Sequence, residues 1–272
     1  MAGDPIEIIL LRQWASYIAG PTWITDGDGR LIYFNESVEP IVGIRFEEAD
    51  DLPAEELGDR FAMCEVDGTP ISNHDRPLMI ALTKQMPAHR RIGLRVGDNW
   101  RELEVTAIPI LSTGGRQLGA MATIWEPAGA STVHQIDSGR SRLSQHPIEV
   151  ILVRHWASFM TVPIWIMDPF GNLIYCNQAS ELLTGMNFAA EGQAPAEHYL
   201  NRFNACDLDG SPIPTEEQPG AIALMKQVAA HREMRVHDGN GDPHQIEVTA
   251  IPLIGQGARL LGAMAMFWEV GQ

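Results

Sequence analysis

Histidines and cysteines are the side chains of this chain with most chemistry to offer, and their spacing argues for binding rather than turnover. His89 and His231 stand 142 residues apart, each followed by an arginine. Such a histidine reads in two ways: as a polar handle inside a pocket, or as a group capping the end of the preceding helix, where carbonyl ends favour positive charge. The capping reading is favoured. Cys64, Cys176 and Cys206 are odd in number and form no CxxC pair. A disulfide framework is therefore not expected, a reducing cytoplasm suits them, and packing as small apolar groups is their default. No GxxxxGK[ST], GxGxxG, HExxH or GxSxG pattern occurs, and the carboxylates are scattered, so the sequence predicts no enzyme.

The elements that must position these residues come in two sets. Trp14 and Trp156, Trp23 and Trp165, Asn35 and Asn177, and Gly43 and Gly185 all share the offset of 142 residues. Between Pro5–Gly43 and Pro147–Gly185, 20 of 39 aligned positions are identical. After a one-residue insertion "LEVTAIPIL" matches "IEVTAIPLI" and "LGAMATIWE" matches "LGAMAMFWE". A period of this size with two copies is a domain duplication, not a solenoid. The expected boundaries are residues 1–127 and 147–272, each opening with a helix, joined by a Ser- and Gly-rich linker at 128–146.

Within a repeat, "PIEIILLRQWASYI" suits a helix, Pro5 standing at its start. Ile6, Ile9, Leu10, Trp14 and Tyr17 follow helical spacing, and Ile8 and Leu11 widen the stripe, which predicts two neighbours for the helix. "TWITDGDGRLIYFN" reads as a hairpin, after which Asn35 caps a short helix ended by Gly43. The segment from Ile44 to Arg60 is acidic and irregular, with room for one short helix. "RPLMIALTKQ" is a helix with Pro77 in its first turn. "HRRIGLRV", "RELEVTAIPIL" and "QLGAMATIWE" alternate as three strands. The predicted fold is α+β: each domain a five-stranded antiparallel sheet with helices packed on one face, preceded by an apolar N-terminal helix.

The chain has 272 residues, a formal net charge of −16 and 45% apolar residues. That balance supports a packed core and excludes nucleic acid and anionic membrane surfaces as expected partners. "MAGDPIEIILLRQW" has no signal-peptide pattern and its apolar run is too short to span a membrane. A soluble, cytoplasmic protein is expected.

With these elements in place, the sequence resembles the PAS domain family twice, through "PTWITDGDGRLIYFNES" and "PIWIMDPFGNLIYCNQAS", through "DGTPISNHDRPLMIAL" and "DGSPIPTEEQPGAIAL", and through the three closing strands. The resemblance implies a sensory or interaction module without an output domain. It would bind a small-molecule ligand between long helix and sheet, and signal to a separate output protein such as a kinase or regulator. Homodimerisation through the N-terminal helices is expected. The resemblance also implies haem as one candidate cofactor of the first repeat, with His74 as axial ligand and His89 and Arg95 nearby. Against this, Pro77 keeps His74 at or before the helix start, and the second repeat has Glu216 there. "DRFAMCEVDG" and "NRFNACDLDG" lack the order of the flavin-cysteine motif, so an FMN-cysteinyl adduct is not expected. Trp100, Trp125 and Trp268 are candidates to stack on a flat ligand or to cover a sheet face. The pocket-facing candidates are Leu78 and Leu82, matched by Gly220 and Leu224. Gly220, in place of Leu78, is expected to open space for a bulky apolar ligand in the second repeat.

Overall fold

The chain folds into two units, Met1–Thr132 and Val133–Gln272, in a computed structural model. The described residues are 5–49, 53, 56, 62–96, 99–112, 114–127, 147–237 and 241–270. The expected linker at 128–146 and much of the acidic stretch between Ile44 and Arg60 lie outside them.

In the first unit α1 (Ile6–Ala15) follows Pro5, whose extended backbone directs the chain into the first turn. β1 (Thr22–Asp26) and β2 (Leu31–Phe34) form the hairpin. Its turn is closed by Asp26, whose Oδ1 accepts from the backbone N–H groups of Asp28 and Arg30, and by Gly29 at φ 79°. Two short helices follow, α2 (Glu39–Val42) and α3 (Phe46–Ala49). The long helix α4 (Pro77–Lys84) carries Pro77 where its missing N–H is harmless. β3 (Ala88–Val96), β4 (Asn99–Leu111) and β5 (Gln117–Trp125) complete an antiparallel sheet of order β2-β1-β5-β4-β3.

The second unit repeats the plan with α5 (Ile148–Ala157), β6 (Ile164–Met167), β7 (Asn172–Cys176), α6 (Gln178–Thr184), α7 (Phe188–Glu191), β8 (Ala194–Pro195), α8 (Ala196–Arg202), α9 (Pro219–Met225), β9 (Ala230–His237), β10 (Pro243–Gly255) and β11 (Arg259–Glu269). Its sheet has six strands, not five, in the order β8-β7-β6-β11-β10-β9. The extra strand is the two-residue β8, which pairs Ala194 and Pro195 with β7. Among the described residues, the first unit has a single bridge at the matching place, Arg30 to Pro53.

Each core lies between the long helix and one face of its sheet. In the first unit Trp23, Ile92, Leu94, Leu103, Val105, Ala122 and Ile124 point inward. In the second Trp165, Met234, Ile246, Ala265 and Phe267 do so. The alternating strand pattern thus puts these residues on one surface.

Asn35 and Asn177 have a larger role than the helix cap expected from sequence. Asn35 Oδ1 accepts from Thr22 N–H, while its Nδ2 donates to the carbonyls of Ala15, Ile18 and Gly20. It therefore ties the end of α1 to the hairpin. It does not cap a helix, because α2 starts later, behind Val38. Asn177 makes the matching bonds to Ile164, Ala157, Met160 and Val162, and additionally accepts from Ser180 N–H at the start of α6.

Candidate functional site

Both units hold a cavity between long helix and sheet. The first, about 60 Å³, is lined by Trp23, Arg76, Leu78, Met79, Ile92, Leu103 and other apolar side chains. The second, about 90 Å³, lies among Trp165, Met167, Phe203, Met234, Val236, Ile246 and Phe267. Both walls are mainly apolar, so a ligand's body would be held by burial of apolar surface.

Besides Thr184, whose hydroxyl donates to the Ser180 carbonyl, the larger cavity has three polar contributors in its lining: Gln218, His237 and His244. Gln218 Oε1 and His237 Nδ1 are buried without a hydrogen-bond partner. His244 is held by Glu269, its Nδ1 lying 2.5 Å from Oε1. Sequence reading missed all three. The signal was nonetheless present: at the offset of 142, or 143 after the insertion, the first repeat has Arg76, Arg95 and Arg101 at these positions.

Gly220 lines the second cavity, but it does not leave open space beside it. A Cβ there would stand 2.9 Å from Met167 Cε. Met167 occupies the position of Thr25 in the first repeat, where Leu78 replaces Gly220. The two exchanges run in opposite directions in size: the larger helix residue goes with the smaller strand residue. Leu78 lines the first cavity. Leu82 and Leu224 pack against the two cores but do not line the cavities. They lie beside the hairpin glycines Gly29 and Gly171 instead.

His89 and His231 overturn both readings offered for them. Each lies on a strand, β3 or β9, and neither caps a helix. Nor does either line a cavity. Alternation turns them to the opposite sheet face from Ile92 and Met234. There His89 Nδ1 meets Thr106 Oγ1 at 2.9 Å, and His231 Nδ1 meets Thr249 Oγ1 at 2.9 Å. Burial pushes His89 down to about 4, so its ring is neutral at pH 7. Trp125 and Trp268 lie on that same face, their rings 5.8 and 6.2 Å from the two imidazoles. They are sheet-face aromatics, not ligand stackers. Trp100, 44% exposed, has its ring over Gly93, where any Cβ would collide with it.

The haem set does not assemble. His74 is exposed on a 3-10 turn (Asn73–Asp75) before α4 and is absent from the cavity lining. Arg95 is exposed on β3, on the face that carries His89. These residues do not converge on one point, and they do not fit a haem. Among the described residues no group of three metal-ligating side chains occurs. Cys64 and Cys206 bridge to Gly93 and Arg235, and no cysteine lines either cavity. Burial pushes the Cys176 thiol up to about 12.

An antiparallel sheet that cradles a cavity under a long helix, present twice, defines a tandem α+β architecture. The PAS domain family matches residues 20–126 and 161–268, and the chain belongs to it. PAS domains are generally sensory and signalling modules. No curated protein matches. Among solved structures, the chain is similar to the PAS domain of a Colwellia psychrerythraea protein, at 20% identity over 44% of this chain and 96% of that one, with a TM-score of 0.34. It is also similar to an RNA-binding light-oxygen-voltage receptor, at 12% identity over 92% and 95% of the two chains, with a TM-score of 0.35. A third likeness is to the PAS domain of the fruit-fly ELK potassium channel, at 14% identity over 47% and 100%, with a TM-score of 0.36. Among the described residues no helix is long and apolar enough to cross a membrane.

Proposed function

We propose that this protein is a non-catalytic cytoplasmic sensor whose ligand enters the cavity of the second PAS domain. The occupied cavity shifts α9 against its sheet, and the change passes to a separate output protein such as a kinase or regulator. The observation that carries this reading is the roughly 90 Å³ apolar cavity with buried polar groups at Gln218 and His237. Buried polar atoms are nearly always hydrogen-bonded, and a ligand supplies the missing partners. Asn177 offers the coupling route, since its amide joins the end of α5 to the sheet. A homodimer is part of the proposal. Ile6 and Ile9 on α1, with Ile148 and Ile151 on α5, are 45–56% exposed and offer apolar contact to a partner.

An absorbance spectrum of the purified protein, followed by mass spectrometry of its denatured extract, tests the reading. The expected result is a released small molecule and no Soret band. A ligand-free protein that also takes up no added compound would make it an interaction adaptor instead. Sedimentation of an Ile9→Glu, Ile151→Glu variant tests the dimer: the expected product is a monomer.

A further inference from the structure

The residue before α9 and the ends of two neighbouring strands bring Gln218, His237 and His244 to one apolar cavity. Gln218 precedes α9, His237 ends β9 and His244 begins β10, where it pairs with Val236. The acceptor Gln218 Oε1 and the ring nitrogen His237 Nδ1 are buried and lack hydrogen-bond partners. Leaving such groups unmet is unfavourable, so the site discriminates for a molecule that satisfies them. No arginine or lysine is among the described lining residues. A carboxylate or phosphate buried there would lack a compensating cation. The first repeat differs at the same place, since Arg76 lines its cavity.

The apolar part of the wall also restricts shape. Trp165 stands edge-on to Phe267 at 5.7 Å and tilted to Phe203 at 6.3 Å. Rings so arranged receive a flat body by edge and face contacts. The volume of about 90 Å³ leaves room for at most one ring and excludes a fused tricycle or a macrocycle.

We infer that the second cavity takes a small, uncharged, single-ring compound bearing one hydrogen-bonding head group, a phenol or its N–H equivalent. Gln218 and His237 contact the head, and the aromatic wall holds the ring. This rests on the proposed sensor reading of the same cavity.

The test uses the full chain with toluene, p-cresol and p-toluate at pH 8, read by NMR of ¹³C-methyl methionines. Met167 and Met234 line the second cavity, whereas Met63 and Met79 line the first, so each site reports separately. The expected result at Met167 and Met234 is that p-cresol binds about tenfold or more tighter than toluene, and p-toluate more weakly than p-cresol. Gln218→Leu should bring p-cresol down to the toluene level and leave toluene binding unchanged, which also shows that the variant is folded. Equal binding of toluene and p-cresol, or preferred p-toluate, overturns the inference while the sensor cavity stands. A Gln218→Leu variant that keeps the full p-cresol preference overturns it too. Failure of all three probes to perturb Met167 and Met234 overturns the sensor reading together with the inference.

Discussion

Met167 Cε lies 2.9 Å from the point where a side chain on Gly220 would begin. Gly220 is the second residue of α9 and puts no side chain into that space. Here it makes way for a methionine from the facing strand, and the first repeat solves the same packing with Leu78 and Thr25.

That exchange gives the first prediction. Gly220→Leu should lower stability by about 1–3 kcal/mol through overpacking against Met167. Adding Met167→Thr restores the first repeat's pairing and should recover most of the loss. Urea denaturation of the two single variants and the double closes the cycle. A double variant no more stable than Gly220→Leu alone would refute the compensation.

The second prediction concerns pH. His89 has its folded value pushed down to about 4 by burial, against about 6.5 in an unfolded chain. The unfolded state therefore binds this proton first. Stability contributed by the neutral ring is complete above about pH 6.5 and falls as pH drops towards 4, by on the order of 3 kcal/mol. His89→Gln should flatten this part of the stability-against-pH curve. Denaturation midpoints measured across that window check it; parallel curves would remove His89 as the cause.

Asn177 supplies the third. Its amide is 1% exposed and serves two backbone N–H groups and three carbonyls. Asn177→Ala leaves these buried groups unmet and should cost roughly 3 kcal/mol. Hydrogen exchange should speed up at Ile164 and Ser180. Asn35→Ala should be milder, because Asn35 serves one N–H fewer. Equal or reversed losses would count against this ranking.

A fourth prediction is chemical inertness. Cys176 is buried and its thiol is pushed up to about 12, chiefly by burial. Since the thiolate is the reactive form, iodoacetamide at pH 7.5 should leave Cys176 unlabelled in the folded protein and label it fully in urea. Rapid labelling without denaturant, followed by mass spectrometry, would contradict the placement.

Much of the fold was legible because its signals are local. The hairpins followed from a glycine turn between short apolar runs, and the long helices from Pro77 and Pro219 at their first positions. The duplication needed only one comparison of the chain with itself. The ligand-facing polar groups were not legible in the same way. Gln218, His237 and His244 are joined only when β9 pairs with β10 beneath α9. β8 was missed because two residues carry no periodic pattern.

By itself, then, the order of amino acids settled that two like domains follow one another, and where their longer strands, hairpin turns and long helices would lie, since these depend on neighbours a few residues apart. Only the tertiary structure decided which side of each strand meets the cavity. Side chains alternate along a strand, so one step along the chain separates Ile92 in the core from Arg91 on the other face. That alternation sent His89 and His231 away from the cavity, while folding delivered Met167 into the space that Gly220 had left.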